Sequence, residues 1–237
     1  MRDTQAHPAA AGDGRTGAGS SGSEPVGGSE LASDRGAGYA ALTAARTAPA
    51  PDGRPPSTEQ LDAILWAATT VPDHGGLRPW RFVVVSGAAR ERFGAALVAG
   101  LVEQRGDAVP EAAVAKMRAK ALAAPCTVVL VAVVDPGSTV AEWEQVASAA
   151  CTGYAIVLAA GSLGLGAVWK SASVVGTRAV RETFELGANE RLLGWVNLGD
   201  PGRPRRRPPV RATLDAHVSF LSVATAGTPT ATDQTGE

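Results

Sequence analysis

From Val146 to Trp169 the chain carries no charged side chain. A run of that length has to be covered, and it constrains every arrangement the chain can adopt. Glu142 and Glu144 stand just ahead of it, where acidic residues favour the positive end of a helix dipole. The pattern predicts the longest helix of the protein, from Thr139 to about Leu163. It is expected to be buried all round, in the core or in a subunit interface. Its length would also cross a bilayer. That alternative is disfavoured, because Gly, Ala, Ser and Thr dominate and the helix has no Arg or Lys flank.

The second constraint is Cys126–Val134, which is apolar at every other position and at those between. Such a strand belongs in the middle of a sheet covered on both faces. Phe82–Val85 is a shorter β-branched and aromatic run, expected to be a core strand. The loop that feeds it, Val71–Trp80, contains Pro72 and the pair Gly75–Gly76, which stop a helix and free the backbone. His74, Arg78 and Trp80 on that loop are polar and aromatic groups held by a rigid strand, a common place for a site.

The remaining elements follow from local signals. Tyr39–Arg46 predicts a short helix, followed by a proline-rich extended connection. Ser57–Gln60 reads as a capping box, and Leu61, Ile64, Leu65 and Ala68 form one face of the helix it starts. A helix opening at Ser86–Arg90 carries Phe93, Leu97 and Leu101 as its apolar stripe. Glu111–Leu122 predicts another, ended by Pro125. Ala167–Trp169 and Leu192–Leu198 read as strands, Gly176–Phe184 as a helix, and Thr213–Val223 as a last short strand. Helices and strands so interleaved give a layered α/β or α+β domain. Residues 1–38 are mostly Gly, Ser, Ala, Pro, Asp and Arg, residues 224–237 read the same way, and with little to bury both are expected to be disordered tails. The folded domain is then 39–223.

Composition narrows the function classes. A net charge of -1 disfavours nucleic acid as a partner. The two cysteines, Cys126 and Cys151, lie in apolar runs without paired spacing, which predicts two buried free thiols and a reducing, cytoplasmic setting. His7, His74 and His217 are scattered and no Cys-x-x-Cys exists, so no metal site is expected. No apolar leader segment opens the chain.

Several motifs occur together in one order: Thr58–Leu65, Val71–Phe82 with Pro-Asp-His and Pro-Trp, Trp143-Glu-Gln145, Gly164–Ser171 with Trp-Lys-Ser, and Leu198-Gly-Asp-Pro201. In this the chain resembles the nitroreductase family, and within it the small YdjA-like branch. The resemblance implies an α+β nitroreductase-like fold, a mixed, mostly antiparallel sheet flanked by helices. It implies a homodimer with FMN at the subunit interface, reduced by NAD(P)H and passing electrons to a small nitroaromatic, quinone or related acceptor. In such enzymes the flavin carries the redox chemistry and the protein binds and orients, so no side chain is assigned as catalytic.

The same resemblance suggests cofactor-binding residues. Arg46 and Thr47 fall where the family holds the FMN phosphate, although Ala45 replaces a usual Arg. Arg203 and Arg205, in a loop that also holds Arg206 and Arg207, would complete that phosphate site. Thr70 stands where the branch often places an Arg on FMN. His74 matches the flavin-contacting His, with the contact made to the other subunit's FMN. Trp169, Lys170 and Ser171 match a strand end that lies on the flavin, with Lys170 at the pyrimidine edge. Gly161–Gly166 resembles the stretch assigned to the nicotinamide cofactor. Arg78 is placed either at the ring or in a salt bridge, and Trp80 in the core. Asp200 replaces a common Thr. Two alternatives stay open: a flavin-fold protein with a weakened FMN site acting as a binding partner, and an FMN-dependent dehydrogenase of a biosynthetic pathway.

Overall fold

The computed structural model describes residues 36–44, 51–106, 108–202 and 216–221. Among the described residues six α-helices, α1 (Ala37–Ala44), α2 (Thr58–Ala68), α3 (Ala89–Arg105), α4 (Glu111–Leu122), α5 (Glu142–Ser162) and α6 (Arg178–Thr183), flank five strands. The strands are β1 (Pro51–Asp52), β2 (Trp80–Ser86), β3 (Cys126–Val133), β4 (Gly166–Lys170) and β5 (Glu190–Pro201). All pairings among the described residues are antiparallel. β5 pairs with β3 along one edge and β4 along the other, β2 lies outside β3, and β1 joins the end of β5. This is the expected helix-flanked α+β layer.

β3 sits in the middle because its residues are apolar in both directions. Val129 and Val131 face a core with Phe93, Leu97 and Leu101 of α3, Met117 and Ala121 of α4, and Trp195 of β5. Cys126, Val128 and Leu130 face a second core with Ile64 and Ala68 of α2 and Ile156, Val157 and Ala160 of α5. Phe93 anchors the first, edge-on to Phe184 at 5.2 Å and to Trp195 at 5.1 Å. Such pairs add to the burial of the rings themselves. The capping box at α2 is complete: Ser57 Oγ accepts from the Gln60 N–H and Gln60 Oε1 accepts from the Ser57 N–H.

Several expectations are corrected. Among the described residues the Phe82–Val85 strand is an edge, paired only with β3, and Val84 is exposed, so its hydrophobicity reflects one covered face rather than two. α5 is buried along one face by this chain, so the core half of its expectation holds for that face alone. It turns Gln145, Ala149, Thr152, Gly153, Ile156, Val157 and Ala160 inward, while Trp143, Ala147, Cys151 and Tyr154 form an exposed stripe. Cys151 is therefore exposed, and only Cys126 is a buried thiol, whose titration burial pushes up. α5 is long and apolar enough to cross a membrane, but its inner face packs on β3, β4 and α2. The proline-rich connection contributes β1, paired with Asp200 and Pro201. Residues 216–221 form a turn and irregular chain rather than a strand, and α1 begins at Ala37, inside the expected tail. The rest of both tails lies outside the described residues.

Candidate functional site

The sharpest local geometry lies where β4 ends at Trp169-Lys170-Ser171. β5 carries an irregularity opposite Leu130 and Val131, and Gly194 there has φ +142°, a conformation other residues rarely adopt. A Cβ on Gly194 would meet the Lys170 carbonyl oxygen at 2.5 Å and Trp169 Nε1 at 2.8 Å. On the other side, a Cβ on Gly153 of α5 would meet the far end of the Trp169 indole at 2.8 Å. Two glycines thus let the strand end and its indole seat against β5 and α5. Trp169 as a whole still keeps 36% of its surface exposed.

The two sides of this strand end differ. Lys170 pairs with Trp195, whose side chain lies in the core beneath α3 and α4. Trp169 pairs with Val196, on the opposite face toward α2 and α5. Lys170 and Ser171 line a cleft against α4 with Lys116, Lys120 and Asn197. Neither Lys170 nor Ser171 makes a side-chain hydrogen bond or ion pair among the described residues, so their donors are available.

His74 opens a single 3-10 turn, His74–Gly76. Its Nδ1 lies 2.7 Å from Glu144 Oε2, at the start of α5. With the proton on Nδ1 facing the carboxylate, Nε2 is left pointing away, and the ring is mostly exposed. The turn is pinned from behind: Asp73 Oδ2 accepts from the Arg78 N–H at 2.6 Å, holding Arg78 at φ +49°. Gln145, fully buried, accepts from the Asp135 N–H and donates to the Asp135 and Val140 carbonyls, fixing the loop before α5. Arg78 is thus held through its backbone, and no salt bridge of its side chain is present among the described residues.

Two suggested positions are otherwise engaged. Thr70 Oγ1 donates to the Ala67 carbonyl at the end of α2. Asp200 accepts from the Arg54 N–H and Nε, and the guanidinium holds its carboxyl below the usual range. Arg46, Thr47, Arg203 and Arg205 lie outside the described residues. Trp80 is half-buried. The partners that sequence reasoning missed, Glu144, Gly153 and Gly194, are remote in sequence from the residues they seat. Glu144 stood inside a quoted motif without an assigned role.

The antiparallel sheet between helix layers, the Trp-Lys-Ser strand end and the histidine turn braced on the long helix lie within a stretch that matches an oxidoreductase family. The chain belongs to the nitroreductase family, whose family model matches residues 52–200. It is 36% identical over 146 residues to YdjA of Escherichia coli (strain K12), named as a candidate NAD(P)H nitroreductase, covering 62% of this chain and 78% of that one. Among solved structures it is similar to the FMN and NADPH-dependent nitroreductase NfnB from Sphigopyxis sp. strain HMH. There the TM-score is 0.62 and identity 19%, covering 78% of this chain and 99% of that chain. It is also similar to a candidate nitroreductase in complex with FMN from Desulfovibrio desulfuricans, with TM-score 0.61 and 18% identity, covering 80% and 99%. At these identities the structural likenesses establish the fold.

Proposed function

We propose that the protein is an FMN-dependent oxidoreductase that uses NADH or NADPH to reduce nitroaromatic, quinone or related small acceptors. The observation that carries this is the Trp169–Ser171 strand end, with a half-open indole face and unengaged donors on Lys170 and Ser171, inside the matched family region. FMN, when bound, would supply the hydride and electron transfer chemistry. The chain's own residues bind and orient. Trp169 offers a flat apolar surface, while Lys170 and Ser171 offer a cation and a hydroxyl that stabilise negative charge at the ring edge. The Glu144 carboxylate orients His74 so that Nε2 faces outward. Arg46, Thr47, Arg203 and Arg205 are proposed for the phosphate.

Glu144 and Gly153 are nine residues apart on α5, about 13 Å along its axis at the usual helical rise. His74 and Trp169 are therefore braced at different places on one chain. The family membership supports a homodimer in which His74 reaches the flavin of the other subunit. The exposed stripe Trp143, Ala147, Cys151 and Tyr154 supports the same assembly, since apolar helix faces seek cover. We place the protein in the cytoplasm, where free thiols stay reduced. The folded domain is proposed to run to about residue 223.

The engagement of Thr70 and Asp200 elsewhere favours a second reading, a flavin-fold binding protein with a weakened cofactor site. FMN titration of the purified chain, followed by NADH and NADPH oxidation with a quinone acceptor, decides between them. Yellow protein with turnover supports the enzyme. A colourless chain that takes up no FMN overturns it.

A further inference from the structure

β1 is only Pro51–Asp52, yet it joins two segments far apart in the sequence. It pairs with the end of β5, Pro51 opposite Pro201 and Asp52 opposite Asp200. A proline has no N–H to give, so the Pro51–Pro201 pair exchanges no N–H···O bond and the ladder alone holds β1 weakly.

Side-chain bonding and close approach make the join instead. Asp200 Oδ2 accepts from the Arg54 N–H at 3.1 Å and from Arg54 Nε at 3.0 Å. In return the Asp200 N–H donates to the Arg54 carbonyl at 2.9 Å. Asp52 Oδ1 tightens the turn between them by accepting from the Gly53 N–H at 2.8 Å. Gly53 has φ +63°, and a Cβ on it would meet Asp200 Oδ2 at 2.9 Å. Gly199 plays the same part from β5: its Cβ would meet the Asp52 carbonyl oxygen at 2.8 Å. The Arg54–Asp200 ion pair itself is largely exposed and contributes little to stability. What it fixes is the geometry of the join.

The chain on either side gives that geometry a use. Arg46 and Thr47 precede Pro51 by five and four residues, and Arg203 and Arg205 follow Pro201 by two and four. These are the residues proposed for the FMN phosphate, and they reach it from the two strands that the join holds together. Charge-assisted hydrogen bonds depend on distance and angle, so donors from two segments serve one phosphate only when the segments are kept in register.

We propose that Asp200 is a positioning residue for the cofactor phosphate. Through Arg54 and the Gly53 turn it holds β1 against the end of β5, so that the segments entering and leaving the join present their cations to one phosphate. Asp200 touches no part of the cofactor in this role. The proposal rests on the functional reading above and adds to it the device that aligns a two-part phosphate site.

The test is fluorescence titration of the full chain with FMN and, separately, with riboflavin, which has the ring and lacks the phosphate. Asp200→Ala removes the acceptor, and Asp200→Asn keeps an oxygen for the Arg54 N–H. Glu91→Ala, which breaks the exposed Arg118–Glu91 pair elsewhere, is the control. In Asp200→Ala, FMN should bind about tenfold more weakly, while riboflavin affinity and the thermal midpoint stay close to wild type. Asp200→Asn should lie between, and Glu91→Ala should change neither ligand. Equal loss of FMN and riboflavin overturns the proposal, because a disturbed fold or ring site would produce it. Tighter FMN binding in Asp200→Ala overturns it too, by showing that the carboxylate repels the phosphate. A wild-type chain that binds neither flavin ends the functional reading and this proposal with it. Wild-type FMN binding that Asp200→Ala leaves unchanged ends the proposal alone.

Discussion

The carbonyl oxygen of Lys170 lies where it would be 2.5 Å from a Cβ on Gly194, so the strand end and β5 approach as closely as a bare α-carbon permits. The same closeness recurs at Gly153 beneath the Trp169 ring. Together they fix which side chains the turn presents, and each can be tested by adding one methyl group.

Gly153→Ala places a Cβ 2.5 Å from Leu130 Cδ1 and 2.8 Å from the indole. The leucine can rotate away, but the packed ring has to shift. The expected cost is about 1–3 kcal/mol in urea denaturation, in the range of core overpacking. FMN affinity should fall with it. Unchanged stability with unchanged FMN binding would remove the glycine from the site.

Arg81 and Glu190 form a bidentate pair, Nε to Oε1 at 2.6 Å and Nη2 to Oε2 at 2.7 Å, and Glu190 also accepts from the Gly187 N–H. The hydrogen bond from Arg81 holds the Glu190 carboxyl below its ordinary value of 4.5. A depressed carboxylate contributes stability above its unfolded value and loses it as pH falls through the folded one. Thermal midpoints should therefore drop as pH falls below about 4.5. Glu190→Gln should lower the midpoint at neutral pH and flatten that acid limb. A variant with the wild-type acid profile would show that other carboxyls set it.

His74 pairs with Glu144 largely in solvent, where such pairs contribute about 0–1 kcal/mol. His74→Ala should leave the thermal midpoint nearly unchanged and weaken FMN about tenfold, the value of one lost contact. Fluorescence titration with FMN measures this. A large stability loss with FMN affinity intact would make His74 a brace for α5 instead.

Ala147 lies in the exposed stripe of α5. Ala147→Glu introduces an unpaired charge into a surface proposed to face its copy, and removal of a charge from water without a partner is costly. Sedimentation should show a wild-type dimer and a variant shifted to monomer, with FMN lost alongside. A monomeric wild type would end the two-subunit account.

Much of the layer order was legible because periodicity and burial agree. Glu111–Leu122 reads as a helix and is one, and Phe93, Leu97 and Leu101 are buried as their spacing requires. The capping box forms in full. β2 misled because a β-branched run reports a covered surface, not how many strands lie beside it. In α5, absence of charge marks surface that seeks cover, without saying whether this chain or another supplies it. The glycine seats at Gly153 and Gly194 and the His74–Glu144 pair left no local signal. Each depends on segments brought together from distant parts of the chain.

Sequence alone determined the family, the two-faced central strand, the long helix and the residue types gathered in its motifs, because these follow from side-chain chemistry and short-range spacing. Only the tertiary structure decided that Trp169 and Lys170, neighbours in the chain, serve opposite faces of the sheet. It alone placed Lys170 with Lys116, Lys120 and Asn197 around one cleft. The reason is geometric: strand alternation parts adjacent side chains, and the layers on either side decide what each one meets.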